Sequence, residues 1–436
     1  MNKHTVRLSR AVLVLALSAG LNTTAMAQTA AAAKDAKDEA VVLEKFEVTG
    51  SRVKRLDAET PAPVVAYKAV DIEAKGYTNI GDFIQSLPFN TGSANSIYQT
   101  ASFTRGAATA NPRGLGSQRF LVLINGRRPV SYALPNSGNR QVFDFNSLPA
   151  SAIESVEFLK DGASALYGAD ALTGVFNIKL KKNYSGMSAT GYYGNTFGHD
   201  SAVTQLSVVA GANSAKTRVM AAFDFKSGNS NFIRDYGVET TDFSLSLGTN
   251  KGANLNSTLN HPANITINAA LAAVLGTPAS GTLVVSGGRL LSAPTLADFT
   301  RVTTVGADNR YNFAKTYQLY PSYDYVSAYT QMEHDVSDTV QVFGQISFSD
   351  NRTYYAFTPG VINFPTEGLS LPAASPYNPF GIPVTTLLHR TSFGAVRKFD
   401  TESVNSNMLG GIRGTYQNWD WESGLSYGFN QVTTVA

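Results

Sequence analysis

Four arginines stand out by their settings. Arg113 and Arg119 bracket Gly114 and Gly116, and Arg127-Arg128 follow the pair Asn125-Gly126. A guanidinium fork at such a place binds carboxylate or phosphate groups. Nucleotide chemistry does not follow, because Gly114-Leu115-Gly116 lacks the third glycine and the βαβ setting of a dinucleotide fingerprint. Hydrolytic chemistry also lacks its parts. The histidines (His4, His199, His261, His334 and His389) are scattered, and no H-E-x-x-H, G-x-S-x-G or phosphate-loop pattern occurs. Without Cys there is no thiolate nucleophile, zinc–thiolate or Fe–S site, and no disulfide. The reading is a non-enzyme with no metal or cofactor. What the arginines can do is pair, in an enclosed polar lumen, with inward carboxylates such as Glu333, Asp420 or Glu422.

The elements that would build such a lumen lie in the second half. From Tyr184 onward, runs of about ten residues alternate between apolar and polar, the pattern of a strand with one lipid face and one wet face. Val219, Ala221, Phe223 and Phe225 oppose Met220, Ala222, Asp224 and Lys226. Trp419, Trp421, Leu425, Tyr427 and Phe429 oppose Asp420, Glu422, Gly424, Ser426, Gly428 and Asn430. Val340, Val342, Ile346 and Phe348 oppose Gln341, Gln345, Ser347 and Ser349, with Phe343 out of step on the polar side. The spacing predicts strands near 187–196, 201–211, 217–227, 324–336, 338–351, 404–416 and 419–430. Most joints alternate between very short and very long, as in barrels with tight turns on one side and large loops on the other. Phe243, Leu245 and Leu247 read as a hairpin inside the first long loop. Only 15% of residues are charged, against about 25% for soluble domains. No apolar run reaches the roughly 18 residues of a spanning helix. A soluble β-sandwich is the alternative, but its strands average only about 5–6 residues. A net charge of +3 argues against nucleic acid as a partner.

Ahead of these strands, Lys3, Arg7 and Arg10, the apolar stretch 11–21 and Ala25-Met26-Ala27 form a cleavable secretory signal, residues 1–27. Residues 28–57 read as a flexible tether ending in a mixed apolar and acidic segment. Residues 58–183 read as a compact α+β domain. Ile80, Phe83, Ile84 and Leu87 mark a helix face, capped by Asn79 and stopped by Pro88. Phe120–Ile124, Ser155–Leu159 and Val175–Leu180 are strands, and Asn125-Gly126 predicts a hairpin returning through Arg127–Val130. Phe89–Asn111 and Ser131–Arg140 are polar loops.

Several ordered motifs give this layout a family likeness. They are Val48-Thr49-Gly50-Ser51-Arg52, Arg113-Gly114-Leu115-Gly116-Ser117-Gln118-Arg119 with Asn125-Gly126-Arg127-Arg128, and Ile153-Glu154-Ser155-Val156-Glu157 leading to Asp161-Gly162-Ala163-Ser164-Ala165-Leu166-Tyr167-Gly168 and Gly174-Val175-Phe176-Asn177-Ile178. Together they resemble the TonB-dependent outer-membrane transporters, and Pro376-Tyr377-Asn378-Pro379-Phe380-Gly381 adds to the likeness. The resemblance implies an α+β plug domain followed by part of an antiparallel transmembrane β-barrel in residues 184–436, about seven strands where a plugged transporter of this size has 22. On that count the chain is expected to be a fragment that does not transport alone. It implies an outer-membrane location, assembly by the barrel-assembly machinery, contact with outer-membrane lipid, and uptake of a scarce ligand: iron chelate, cobalamin, oligosaccharide or peptide. It also implies a pull by the TonB protein on an N-terminal segment. Val41, Val42, Leu43, Glu44, Phe46 and Val48 can add a strand to a partner sheet, or the segment is the plug's own first strand. Arg113 takes the role of the plug arginine tied to barrel glutamates, which the resemblance puts in later strands than the seven expected here, with Arg119, Arg127 and Arg128 as further plug–barrel contacts. Tyr98, Arg105, Asn136 and Arg140 are the ligand-binding candidates. A signalling receptor or a surface adhesin are the alternatives.

Overall fold

The computed structural model describes residues 64–77, 79–90, 104–134, 141–160, 163–236, 256–257, 259–260, 262–285, 292–305, 309, 311–312, 316, 318–390 and 396–435. The signal, the segment 41–48 and the Phe243–Leu247 hairpin lie outside these residues.

The α+β domain is built on a four-stranded sheet. Its strands are β1 (Val64–Lys68), β2 (Leu121–Ile124), β3 (Ile153–Leu159) and β4 (Val175–Leu180), in the order β1-β3-β4-β2. Helix α1 (Ala69–Ala74) follows β1, and α2 (Ile80–Ser86) follows in turn. Asn79 caps α2 as its sequence predicts, accepting the Asp82 N–H at 2.7 Å. Alternation along β3 and β4 sends Val156, Phe158, Phe176 and Ile178 into a core with Phe83 and Ile84. Phe158 and Phe176 stack at 4.7 Å, and Gly174 leaves them room, since a Cβ there would meet Phe158 Cε2 at 2.9 Å. The hairpin expectation needs correction. Asn125 and Gly126 do turn the chain with positive φ angles, but the return is a single bridge, Ile124 to Arg127. β2 pairs in parallel with β4 on its one partnered edge, and the chain after Arg127 leaves the other edge because Val130 and Ala133 bond to Asn407 and Asn430 of the second half.

The second half forms a wall of seven antiparallel strands. In chain order they are β5 (Gly186–Gly194), β6 (Val203–Asn213), β7 (Thr217–Gly228), β11 (Ser322–Ser337), β12 (Val340–Phe357), β15 (Arg397–Tyr416) and β16 (Trp419–Val435). Each pairs with the next, and β5 and β16 form the two edges. The register places the alternating residues as expected. Met220, Ala222, Asp224 and Lys226 are buried beneath the α+β domain, and Val219, Ala221, Phe223 and Phe225 face outward. Trp419, Leu425 and Tyr427 stand exposed on the outer face. Outward residues remain mostly apolar from the tight-turn ends to Phe348, Val404 and Phe429. They then switch to polar and charged residues: Asp350 and Arg352, Glu402 and Asp400, Gln431 and Thr433. That band is about as tall as the 9–11 tilted residues needed to cross a bilayer. Strands of 18 and 20 residues therefore continue past it.

Their extra length carries a feature absent from the sequence reading. The two long loops pair with each other in a five-stranded sheet. The first loop supplies β8 (Asn264–Thr266), β9 (Thr282–Val285) and β10 (Phe299–Val302), and the second β13 (Val361–Asn363) and β14 (Leu387–Arg390), in the order β10-β9-β8-β14-β13. This outer body has its own core of Ile265, Ile267, Leu271, Leu283, Phe380 and Val384. The Pro376–Gly381 motif closes it. Asn378 is buried, its amide donates to the carbonyls of Leu371, Pro372 and Ile382, and its carbonyl accepts the Phe380 N–H.

Candidate functional site between the domain and the wall

Each wall strand from β7 onward sends inward side chains to the α+β domain. Asp224 on β7 accepts the Ser151 N–H at 3.2 Å and its hydroxyl at 2.5 Å. Ser151 is offered by the short 3-10 turn Ala150–Ala152, set just after Pro149. Gln331 on β11 donates to the Lys182 carbonyl. On β12, Asn351 donates to the Asn146 carbonyl at 3.0 Å and the Tyr355 hydroxyl accepts the Gly106 N–H at 2.7 Å. Asn407 on β15 meets the Val130 N–H, and Asn430 on β16 accepts the Ala133 N–H at 2.7 Å. These polar residues escaped the sequence reading as contacts. Their signal was available: each occupies an inward position of the period-two register. Apolar contact is concentrated toward β6, β7 and β11, where Val209, Met220, Ala222 and Tyr329 join the domain's core.

At the tight-turn end the lumen carries a charged cluster. Glu333, buried on β11, takes Arg218 of β7 at 3.3 Å and Arg413 of β15 at 2.7 Å. Arg413 also reaches Glu422 of β16 at 3.9 Å, and Glu422 pairs with Arg127 of the α+β domain. A chain of alternating charge drawn from four strands thus runs from β7 to β16 and ends at the tip of the Asn125-Gly126 turn. Above that tip lies a cavity of about 570 Å³, lined by Arg127, Arg128 and Val130 on one side and Gln345, Ser347 and Asn407 on the other.

Nearer the outer body, the backbone at Arg105 and Gly106 is held by the hydroxyls of Tyr132 and Tyr355. The Arg105 guanidinium lies over Phe399 at 4.2 Å. Beside it Asp144 is buried, with Oδ1 accepting the N–H groups of Ala108 and Asn146. Burial pushes the Asp144 carboxyl up to about 7 against these hydrogen bonds, which favour the charged form. The Tyr132 phenol is also driven upward, first by burial and then by Asp144.

Of the four arginines, Arg127 alone makes an ion pair with the wall among the described residues. The other three contact their own domain here. Arg113, in a positive-φ conformation, turns back to the Lys160 carbonyl at 2.6 Å. Arg119 is exposed, and its backbone carbonyl accepts the Thr173 N–H and hydroxyl. Arg128 pairs with Asp170 and the Tyr167 carbonyl inside its own domain. Arg105 stands near the wall as described; Tyr98, Asn136 and Arg140 lie outside the described residues. Among the described residues no group of His, Asp and Glu could hold a metal ion.

Comparison with known proteins places this arrangement. Residues 57–175 match the profile of the TonB-dependent Receptor Plug Domain. The chain is 29% identical over 149 residues to an iron-regulated outer membrane virulence protein of Vibrio cholerae, covering 34% of this chain and 22% of that protein. It is 32% identical over 132 residues to the vitamin B12 transporter BtuB of Photobacterium profundum, covering 30% and 20%. These matches span about a fifth of each relative's length. Among solved structures, the ferric enterobactin receptor of Pseudomonas aeruginosa superposes with a TM-score of 0.49 at 14% identity, covering 85% of this chain and 41% of that one. The siderophore receptor PirA of Acinetobacter baumannii gives 0.37 at 16%, covering 85% and 48%.

Proposed function

We propose that this chain, whose residues 57–175 match the TonB-dependent receptor plug, supplies the plug and part of the barrel wall of an outer-membrane receptor for energised uptake of a scarce metal chelate, with the plug as the part that moves. The carrying observation is the chemistry of the plug's contact with β12, β15 and β16. It is made mainly of hydrogen bonds and one half-exposed ion pair. Such bonds exchange for water at a net cost of only about 0.5–1.5 kcal/mol each. A plug held this way can be displaced and can return.

In this reading the ligand is an iron chelate or a cobalamin; of the relatives, one is named as an iron-regulated outer membrane protein and one as a vitamin B12 transporter. Tyr98, Arg105, Asn136 and Arg140 meet it at the outer side of the plug. The aromatic seat of Arg105 supports that role, because a guanidinium held over Phe399 is pre-oriented for an anionic chelate. Residues 41–48 take the pull: Val42, Phe46 and Val48 alternate, so the segment can join an edge of the TonB protein as an added strand. Residues 28–57 form the tether, 58–183 the plug and 184–436 the wall.

Uptake of ferric enterobactin and cyanocobalamin by cells expressing a full-length receptor that contains this plug and wall, with and without residues 41–48, tests this. Import of either probe that disappears with the deletion is expected. Import that survives it would overturn the proposal.

A further inference from the structure

Phe343 interrupts an otherwise polar inward run on β12, Gln341, Gln345, Ser347 and Ser349. The wall is shaped to receive it. Its ring is buried opposite Glu333 on β11 and Gly411 on β15. A Cβ at Gly411 would lie 2.5 Å from the ring's Cζ, and one at Gly424 of β16 would lie 3.6 Å away. Two glycines on adjacent strands thus open a notch that the ring fills. Two cations converge on it. The Arg127 guanidinium carbon is 5.6 Å from the ring centroid and that of Arg413 is 5.3 Å away. Both arginines also reach Glu422.

Two like charges sharing one carboxylate repel each other, and Arg127 is exposed enough to leave for water. We propose that Phe343 is the positioning residue of this contact. Its π face attracts both guanidiniums, so the plug arginine is held against Glu422 although Arg413 stands beside it. Glu333 completes the charged surroundings by anchoring Arg413 from the far side, and is itself held by Arg218. The inference rests on the reading above only in taking the plug as the moving part.

The chain has no Cys, so one introduced thiol reports plug movement. Val142→Cys places it in the buried contact of Tyr132 and Val142 with Val432 of the wall. The measurement is the rate of labelling by a water-soluble maleimide in outer-membrane vesicles, without TonB or ligand. Phe343→Leu is expected to speed labelling about tenfold, through loss of the partly desolvated Arg127 cation–π contact, and Phe343→Tyr by less than about twofold. In an Arg127→Met background, Phe343→Leu should add nothing. Equal rates for Leu and wild type, equal acceleration by Tyr and Leu, or a full Leu effect without Arg127 would overturn the proposal. Should the Leu variant fail to assemble, mono-, di- and trifluorophenylalanine at 343 keep the ring's size while draining its π face. A stepwise rise along that series supports the role and a flat series refutes it. Because neither TonB nor ligand is present, failure here leaves the uptake reading standing, and the deletion of residues 41–48 tests that separately.

Discussion

The outer body and the plug are held in opposite ways. The outer body ties two loops about a hundred residues apart with a dry core around Phe380 and Val384 and one fully used amide, Asn378. The plug meets the far side of its wall mainly through hydrogen bonds and the pair Arg127–Glu422, whose side chains are 39% and 41% exposed, with a small apolar contact at Val432. Apolar burial is lost as a unit when a contact opens, whereas polar contacts are replaced by water one at a time. On the proposed function, the outer body is the part that stays assembled and the plug the part that separates.

The largest expected effect breaks the first half of that contrast. Phe380→Ala should cost the outer body about 3–5 kcal/mol, the usual range for emptying a buried aromatic site. Limited proteolysis should then cut within 256–320 and 358–396 while the plug stays protected. Equal loss of plug protection would mean that the two regions share one core.

Next is pH. The Asp144 carboxyl titrates at about 7 in the native state, against an ordinary value of 3.8. The native state therefore binds the proton more tightly than the unfolded chain. That stabilisation is complete below about pH 4 and is lost as pH rises through 7. Labelling of Val142→Cys, taken at each pH relative to the same thiol in the denatured chain, should be slower at pH 5 than at pH 8, and Asp144→Asn should flatten that ratio.

Asp224→Ala, which leaves the Ser151 N–H without its acceptor, should loosen the plug by about 1–3 kcal/mol, read by the same labelling. The smallest effect sharpens the comparison. Glu422→Gln should change plug stability by no more than about 1 kcal/mol, as expected of a partly exposed pair, and that change should shrink in high salt. A large, salt-independent loss would show that the plug is locked as firmly as the outer body.

Much of this was legible in the sequence because a strand with two solvents repeats every two residues. The residues Met220 to Lys226 and Trp419 to Asn430 declared their faces, and Asn79 declared its helix. The outer body was not legible. Its strands of three or four residues carry too little periodicity, and their partners come from a different loop. The arginines were read by type, and type does not say which neighbour is nearest: Lys160 and Asp170 of the plug itself took Arg113 and Arg128. Phe343 was visible as an anomaly, but its reason, a notch at Gly411 and Gly424, exists only once three strands are aligned.

The central claim is that alternate residues of the wall face the plug and the membrane, with the plug seated on the inner set. Paired thiols in outer membranes test it most directly, since a disulfide forms only where the two Cβ atoms approach within about 3.5–4.5 Å. Ser151→Cys with Asp224→Cys should cross-link under mild oxidation, and Ser151→Cys with Phe223→Cys, one residue away on the opposite face, should not. Cross-linking of both pairs alike, or of the Phe223 pair alone, would contradict the account.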